Sequence, residues 1–161
     1  MYKVSVIIDA APDKLIKAFE NQKDITKWNT TLSKQEILKT FVNSNAKITY
    51  QVTTEAGPGG VVSARDFIFI AKSEKRGNTW MEGGVSVEYP GPKTSKIVRA
   101  WNHPGGQLVR SISGSPNKCE FTWLMNCEFR GWIPGSILEI AMPQAQIQFV
   151  ACVRELAKTL I

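Results

Sequence analysis

His103 is the only histidine of the chain, and it stands in the turn-like run Asn102-His103-Pro104-Gly105-Gly106. A Ser/His/Asp or Cys/His centre would have to be built on that one imidazole. No G-x-S-x-G elbow presents a serine to it, and a turn histidine without chemistry is the plainer reading. Glu82 and Tyr50 are the other polar side chains a catalytic pair would recruit if they faced a cavity. Cys119, Cys127 and Cys152 are odd in number, widely spaced and set among apolar residues, which suits reduced core thiols better than a disulfide frame. One His and three dispersed Cys offer neither C-x-x-C nor H-x-x-x-H spacing, so no metal and no other cofactor is expected. The glycine-rich run Gly57-Pro58-Gly59-Gly60-Val61-Val62-Ser63-Ala64-Arg65-Asp66 matches neither GxGxxG nor GxxxxGK[ST]. Strand patterns flank it on both sides, whereas a phosphate loop lies between a strand and a helix.

The elements that would position these residues fit within one domain, 1–161. The composition, 43% hydrophobic and 21% charged, is that of a water-soluble globular chain. No uninterrupted apolar run approaches the roughly 18 residues of a membrane span. The amino end lacks a secretory h-region, so a cytoplasmic location is expected. A formal charge of +6 favours an anionic partner, either nucleic acid or an acidic membrane surface. The basic residues are scattered, however, and the densest cluster, Lys72 to Arg76, reads as a solvated strand end. The aromatics fall mostly on inward faces of strands, which argues against nucleic acid as the partner.

Tyr2 to Asp9 alternates as a strand with Val4, Val6 and Ile8 on one face. Pro12 opens a helix with Leu15, Ile16, Ala18 and Phe19 as its buried stripe. A helical turn covers Asp24 to Asn29. The chain from Leu32 to Glu128 is dominated by strand patterns: Glu36–Val42, Lys47–Thr53, Arg65–Lys72, Thr79–Tyr89, Lys96–Asn102, Gly106–Ile112 and Lys118–Phe129. Turn-forming runs separate them, among them Pro90–Ser95. A long helix from about Pro134 to Leu160 closes the sequence, with a kink or an unwound turn expected at Pro143. The predicted class is α+β: a curved antiparallel sheet wrapped around the C-terminal helix, enclosing an overwhelmingly apolar cavity.

The runs Gly59–Ile70, Val98–Ile112 and Cys119–Pro134, in this order and spacing, resemble START domains, the steroidogenic-acute-regulatory-related lipid-transfer family, and most of all its sterol- and carotenoid-binding branch. That resemblance implies a helix-grip fold with one lipid in a hydrophobic tunnel, gated by the C-terminal helix and a loop between central strands. The 57–65 loop then reads as this lid. Gly57, Gly59 and Gly60 give it freedom, Val61 and Val62 apolar contact, and Arg65 and Asp66 an anchor, with an ion pair as one means; a rigid glycine turn is the alternative.

Ligand contacts implied by the resemblance and by polarity are Ile25, Asn29, Gln51, Val61, Val62, Ala71, Glu82, Gln107, Phe121, Trp123, Phe149 and Val153. The sterol branch carries an acidic residue paired with an arginine inside its tunnel. The matching positions here read Gln51 or Val52 and Ala71, which implies a missing pair and a drier pocket. Lys72 and Glu82 are the candidates to compensate, with Lys72 expected to face solvent. Gln107 stands where relatives place an apolar or aromatic residue. The chain begins at what corresponds to the family's third strand, which would leave a sheet edge open to homodimerisation.

The expected function is therefore non-enzymatic carriage of one sterol, such as cholesterol, or a carotenoid between membranes, with peripheral membrane contact through Trp132 and Ile133. A lipid-sensing regulatory domain is the first alternative and a helix-grip enzyme the second.

Overall fold

The computed structural model describes residues 1–92 and 96–160. The end of the predicted Pro90–Ser95 turn lies outside the described residues. Strand β1 (Tyr2–Ile8) is followed by helices α1 (Pro12–Glu20) and α2 (Ile25–Trp28). Strands β2 (Leu32–Phe41), β3 (Ala46–Thr53), β4 (Arg65–Arg76) and β5 (Thr79–Ser86) come next. Then follow β6 (Val98–Arg99), β7 (Trp101–Asn102), β8 (Gly105–Ile112), β9 (Ser115–Met125), β10 (Cys127–Glu128) and helix α3 (Gly135–Thr159). Seven strands form one antiparallel path, β1-β9-β8-β5-β4-β3-β2, with β6 attached beside β4. Helix α3 is the element that this curved sheet grips.

Local patterning accounts for the elements. In β1 the inner side chains Val4, Val6 and Ile8 alternate with exposed Lys3, Ser5 and Ile7, which is the period-2 signature of a half-buried strand. Pro12 takes the first turn of α1, where its absent N–H costs nothing. Leu15 and Phe19, four residues apart, are the buried face of that helix. Around them an aromatic cluster joins α1, α2, the sheet and α3. Phe19 stacks on Trp28 with ring centroids 5.7 Å apart, and Phe149 of α3 lies 4.8 Å from Trp123 and 6.0 Å from Phe121. Such pairs contribute about 0.5–1.5 kcal/mol each beyond their area burial.

Helix α3 runs unbroken through Pro143, so the predicted unwound turn is not formed. The lost hydrogen bond is outweighed by packing on either side of it, since Ala141, Met142, Gln146, Phe149, Val150 and Val153 are all buried. By length and mean hydropathy, 1.2, this helix also meets the requirement of a membrane span, with 39% of its most apolar window buried. Here Ala141, Phe149 and Val153 are directed at the sheet, while Ile140 and Ile147 face solvent.

Three predicted strands end differently. Lys96–Asn102 divides into β6, parallel to the start of β4, and β7, which pairs with β10. Fully buried Ala100 lies between them and donates its N–H to the Asp66 carbonyl at 2.9 Å. Lys118–Phe129 divides at Asn126, whose carbonyl accepts from His103 N at 2.8 Å and whose side chain reaches the Pro104 carbonyl. Thr79–Tyr89 ends at Ser86, whose hydroxyl accepts from Asn102 N at 2.8 Å. Past that point the chain crosses the convex face. There Val87, Tyr89 and Ile97 pack on a second core of Ile48, Tyr50, Val52 and Ile68.

Candidate functional site

A cavity of about 260 Å³ lies between the concave face of the sheet and α3. Its apolar parts come from Phe19, Trp28, Phe67, Phe69, Trp123 and Phe149. Its other wall is polar. Strand β3 presents Lys47, Thr49, Gln51 and Thr53 to the cavity, while Ile48, Tyr50 and Val52 point to the convex core. The expectation of an overwhelmingly apolar, drier pocket is corrected on this wall. Period-2 alternation is present in β3, but its apolar half is claimed by the chain that crosses behind the sheet, leaving the polar half facing inward.

Three glutamines continue this wall. Gln51 Nε2 donates to Gln35 Oε1 at 3.2 Å, and Gln35 Nε2 donates in turn to Gln22 Oε1. All three line the cavity. The relay uses one donor of each of two side chains to fix a third, which orients the Gln51 amide without drawing on a charge. Buried Asn29 is held similarly, its Oδ1 accepting from the backbone N–H and the hydroxyl of Thr31 at 3.1 and 2.6 Å.

Of the residues expected to touch a ligand, Ile25, Asn29, Gln51, Ala71, Glu82, Gln107, Trp123 and Phe149 line the cavity. Four others lie off its wall. Phe121 and Val153 are both fully buried in the core beneath it. Val62, 2% exposed, packs on Met125, Ala141 and Met142 between the glycine loop and α3, and Val61 is 55% exposed to solvent. Sequence reasoning missed Lys47, Gln22 and Gln35. The alternation of β3 grouped Lys47 with Gln51 on one face, but nothing in the residues says which face meets the cavity. Lys72 is exposed, and its place opposite Ala46 in the register puts it on the face of the sheet away from Lys47, Ala71 and the cavity.

Glu82 stands opposite Gln107 across β5 and β8, and burial pushes its carboxyl above the ordinary 4.5, Lys47 opposing and Glu20 reinforcing the effect. The strands meet closely here. A methyl on Gly106 would come 2.1 Å from the Glu82 carbonyl oxygen, so this position excludes every side chain. His103 also lines the cavity, with Nε2 3.7 Å from Glu128, so two of the three side chains weighed for catalysis, Glu82 and His103, face it, whereas Tyr50 belongs to the convex core. Burial raises the Cys119 thiol to about 11 and Cys127 to about 12, which keeps both as un-ionised packing groups.

The 57–65 loop packs against the first half of α3, just beyond Glu55 and Ala56 of the cavity wall. Gly57 has φ +79° and sits so close that a methyl there would lie 3.2 Å from Ala141 Cβ. A 3₁₀ turn over Pro58–Gly60 and the Ala56–Val62 bridge shape the loop. Its root holds no Arg65–Asp66 ion pair. The two side chains of adjacent strand residues leave on opposite faces. Buried Arg65 donates to the carbonyls of Ser63 at 2.7 Å, Phe129 at 2.8 Å, and Ala64 and Arg130 at 3.3 Å. Asp66 instead pairs bidentately with Arg99 at 2.7 and 3.0 Å on the convex side.

Comparison with known proteins agrees with this architecture. The chain is 31% identical over 157 residues to the mitochondrial steroidogenic acute regulatory protein of Danio rerio, covering 96% of this chain and 54% of that protein. The Gallus gallus protein of that name is 29% identical over the same length, with 55% covered, so the chain spans about half the length of these relatives. Among solved structures, human StAR-related lipid transfer protein 5 superposes with a TM-score of 0.86 at 18% identity, covering 98% of this chain and 74% of that one. The Zhui aromatase/cyclase from Streptomyces has a TM-score of 0.64 at 9% identity, covering 98% and 92%. At these identities the structures speak to the fold, and the fold is shared by carriers and an enzyme. The family profile described as START domain matches residues 1–159, and the chain belongs to that family.

Proposed function

We propose that the protein binds one lipid in the cavity between sheet and α3 and transfers it between membranes without chemical conversion, a sterol being the preferred ligand class and a carotenoid the second. The observation that carries this reading is the cavity itself, with aromatic rings from α1, α2, β9 and α3 on one side and the oriented Gln51 amide on the other. An apolar body with one polar end matches that division. The likeness to steroidogenic acute regulatory proteins and to a lipid transfer protein supports it.

At about 260 Å³ the closed cavity is slightly below the roughly 300–1,000 Å³ of common ligand sites. Loading then requires the 57–65 loop and the first half of α3 to part. Their contact is narrow, made by Gly57 and Val62 on Ala141 and Met142. Around this junction Trp132 is 90% exposed, Val61 55% and Ile140 53%, an apolar rim suited to entering a lipid surface beside the opening. Ile133 is partly buried against the Val62 cluster, which leaves Trp132 as the outward-facing side chain of the two.

Native mass spectrometry after exposure to a mixed lipid extract, followed by transfer between vesicles, tests the reading. One retained sterol or carotenoid, delivered more slowly by Trp132→Ala, is the expected result. A protein that stays empty would sink the proposal, and retention without delivery would favour a lipid sensor.

A further inference from the structure

Two partly buried ionisable side chains of the cavity wall have no ionic partner among the described residues. Lys47 of β3 and Glu82 of β5 both face the cavity, and neither joins an ion pair among the described residues. Between them β4 carries only small side chains at this level. Ala71 is opposite Lys47 and Ser73 opposite Glu82, and Gly84 stands beside Ala71 on β5. The result is a bay floored by Ala71, Ser73 and Gly84, with an ammonium on one side and Glu82 and Gln107 on the other.

We infer that this bay receives the carboxylate of an acidic amphiphile, whose oxygens accept from Lys47 Nζ and the Gln107 amide beside the Glu82 carboxyl. The inference rests on the lipid-binding reading and names the polar end of its ligand. Charge decides the class. No carboxylate lies within ion-pair distance of Lys47 among the described residues, and burial acts on Glu82 in favour of its neutral form. A neutral ligand would drive water from Lys47 and leave a desolvated cation without a counter-ion, whereas a carboxylate supplies one.

The charged groups facing Glu82 are Lys47 from β3 and Glu20 from α1, the latter accepting from the Trp80 indole N–H at 3.2 Å. Ionised Glu82 would repel the incoming carboxylate, so affinity for an acid falls as pH rises through the raised Glu82 value. His103 lines the same cavity from the turn after β7, so the variant Glu82→Gln, rather than pH alone, isolates this group.

The test is equilibrium binding of the full chain to cholenic acid, a steroid carboxylic acid, to its methyl ester and to cholesterol. The acid is expected to bind roughly tenfold more tightly than the ester. Lys47→Met is expected to abolish that preference, and Glu82→Gln to keep it while removing its pH dependence. Equal affinity for acid and ester in the unmodified chain overturns the carboxylate site and leaves the lipid-binding reading standing. Failure to bind acid, ester and cholesterol alike overturns both. Should Lys47→Met not fold, Lys47→Gln and the unmodified chain's acid-to-ester ratio decide the matter in its place.

Discussion

Arg65 Nε donates to the Phe129 carbonyl at 2.8 Å, tying the root of the glycine loop to the segment that leads into α3. The same guanidinium reaches the carbonyls of Ser63, Ala64 and Arg130, so a single side chain satisfies both strands of the junction. Burial lowers its proton affinity, the expected consequence of placing a cation among carbonyls rather than carboxylates.

Arg65→Lys keeps the charge but loses the planar fork. It is expected to cost about 2–3 kcal/mol, since several buried carbonyls lose their donors. Chemical denaturation measures the loss. Limited proteolysis should cut the mutant faster between 56 and 64, and an unaltered cleavage pattern would show that the loop is held by Val62 alone.

The Asp66–Arg99 pair predicts an asymmetry. Asp66 is 1% exposed whereas the Arg99 side chain is 35% exposed. Arg99→Met strands a buried carboxylate and is expected to destabilise by about 3–5 kcal/mol. Asp66→Asn leaves a cation that can still turn to water, and its cost should be smaller by at least about 1 kcal/mol. Urea midpoints of the two variants decide this, and the reverse order would refute the burial argument.

Glu82→Gln predicts a pH-dependent gain. A carboxyl whose folded value lies above the ordinary 4.5 takes up protons on folding, so its stabilising contribution is complete below 4.5 and is lost as pH rises through the folded value. The neutral amide carries no such penalty. The variant's melting temperature should exceed that of the unmodified protein in mildly alkaline buffer, and the gap should narrow as the pH falls below 4.5. A gap that does not change with pH would mean that Glu82 titrates freely.

The order of elements was readable in the residues because each carried a local signal, such as Pro12 for α1, the Gly77-Asn78 turn between β4 and β5, and the apolar stripe of α3. Strand ends were less readable. The division of Lys96–Asn102 at Ala100 and of Lys118–Phe129 at Asn126 depends on which neighbour each half pairs with, a long-range choice that leaves no local trace. The cavity was half legible. Trp123 and Phe149 followed from their apolar periodicity, whereas Lys47 followed from nothing local, because the fate of β3's two faces is decided by Val87, Tyr89 and Ile97, far along the chain. Arg65 and Asp66 were expected to anchor the loop together, whereas Arg65 holds a set of carbonyls and Asp66 holds Arg99 on the other face, partners drawn from residues 63 to 130 that no local signal marked.

The convex core behind β3 and β4 separates holding the fold from holding a guest. Ile48, Tyr50, Val52 and Ile68 find their apolar neighbours within the chain itself, so this side of the receptacle does not depend on cargo to stay folded. Water entering along β3 meets the Thr49 and Thr53 hydroxyls, the Gln51 amide and the Lys47 ammonium, groups that it solvates well, while the aromatic rings line the remainder. The β3 wall can therefore stay folded with water alone beside it.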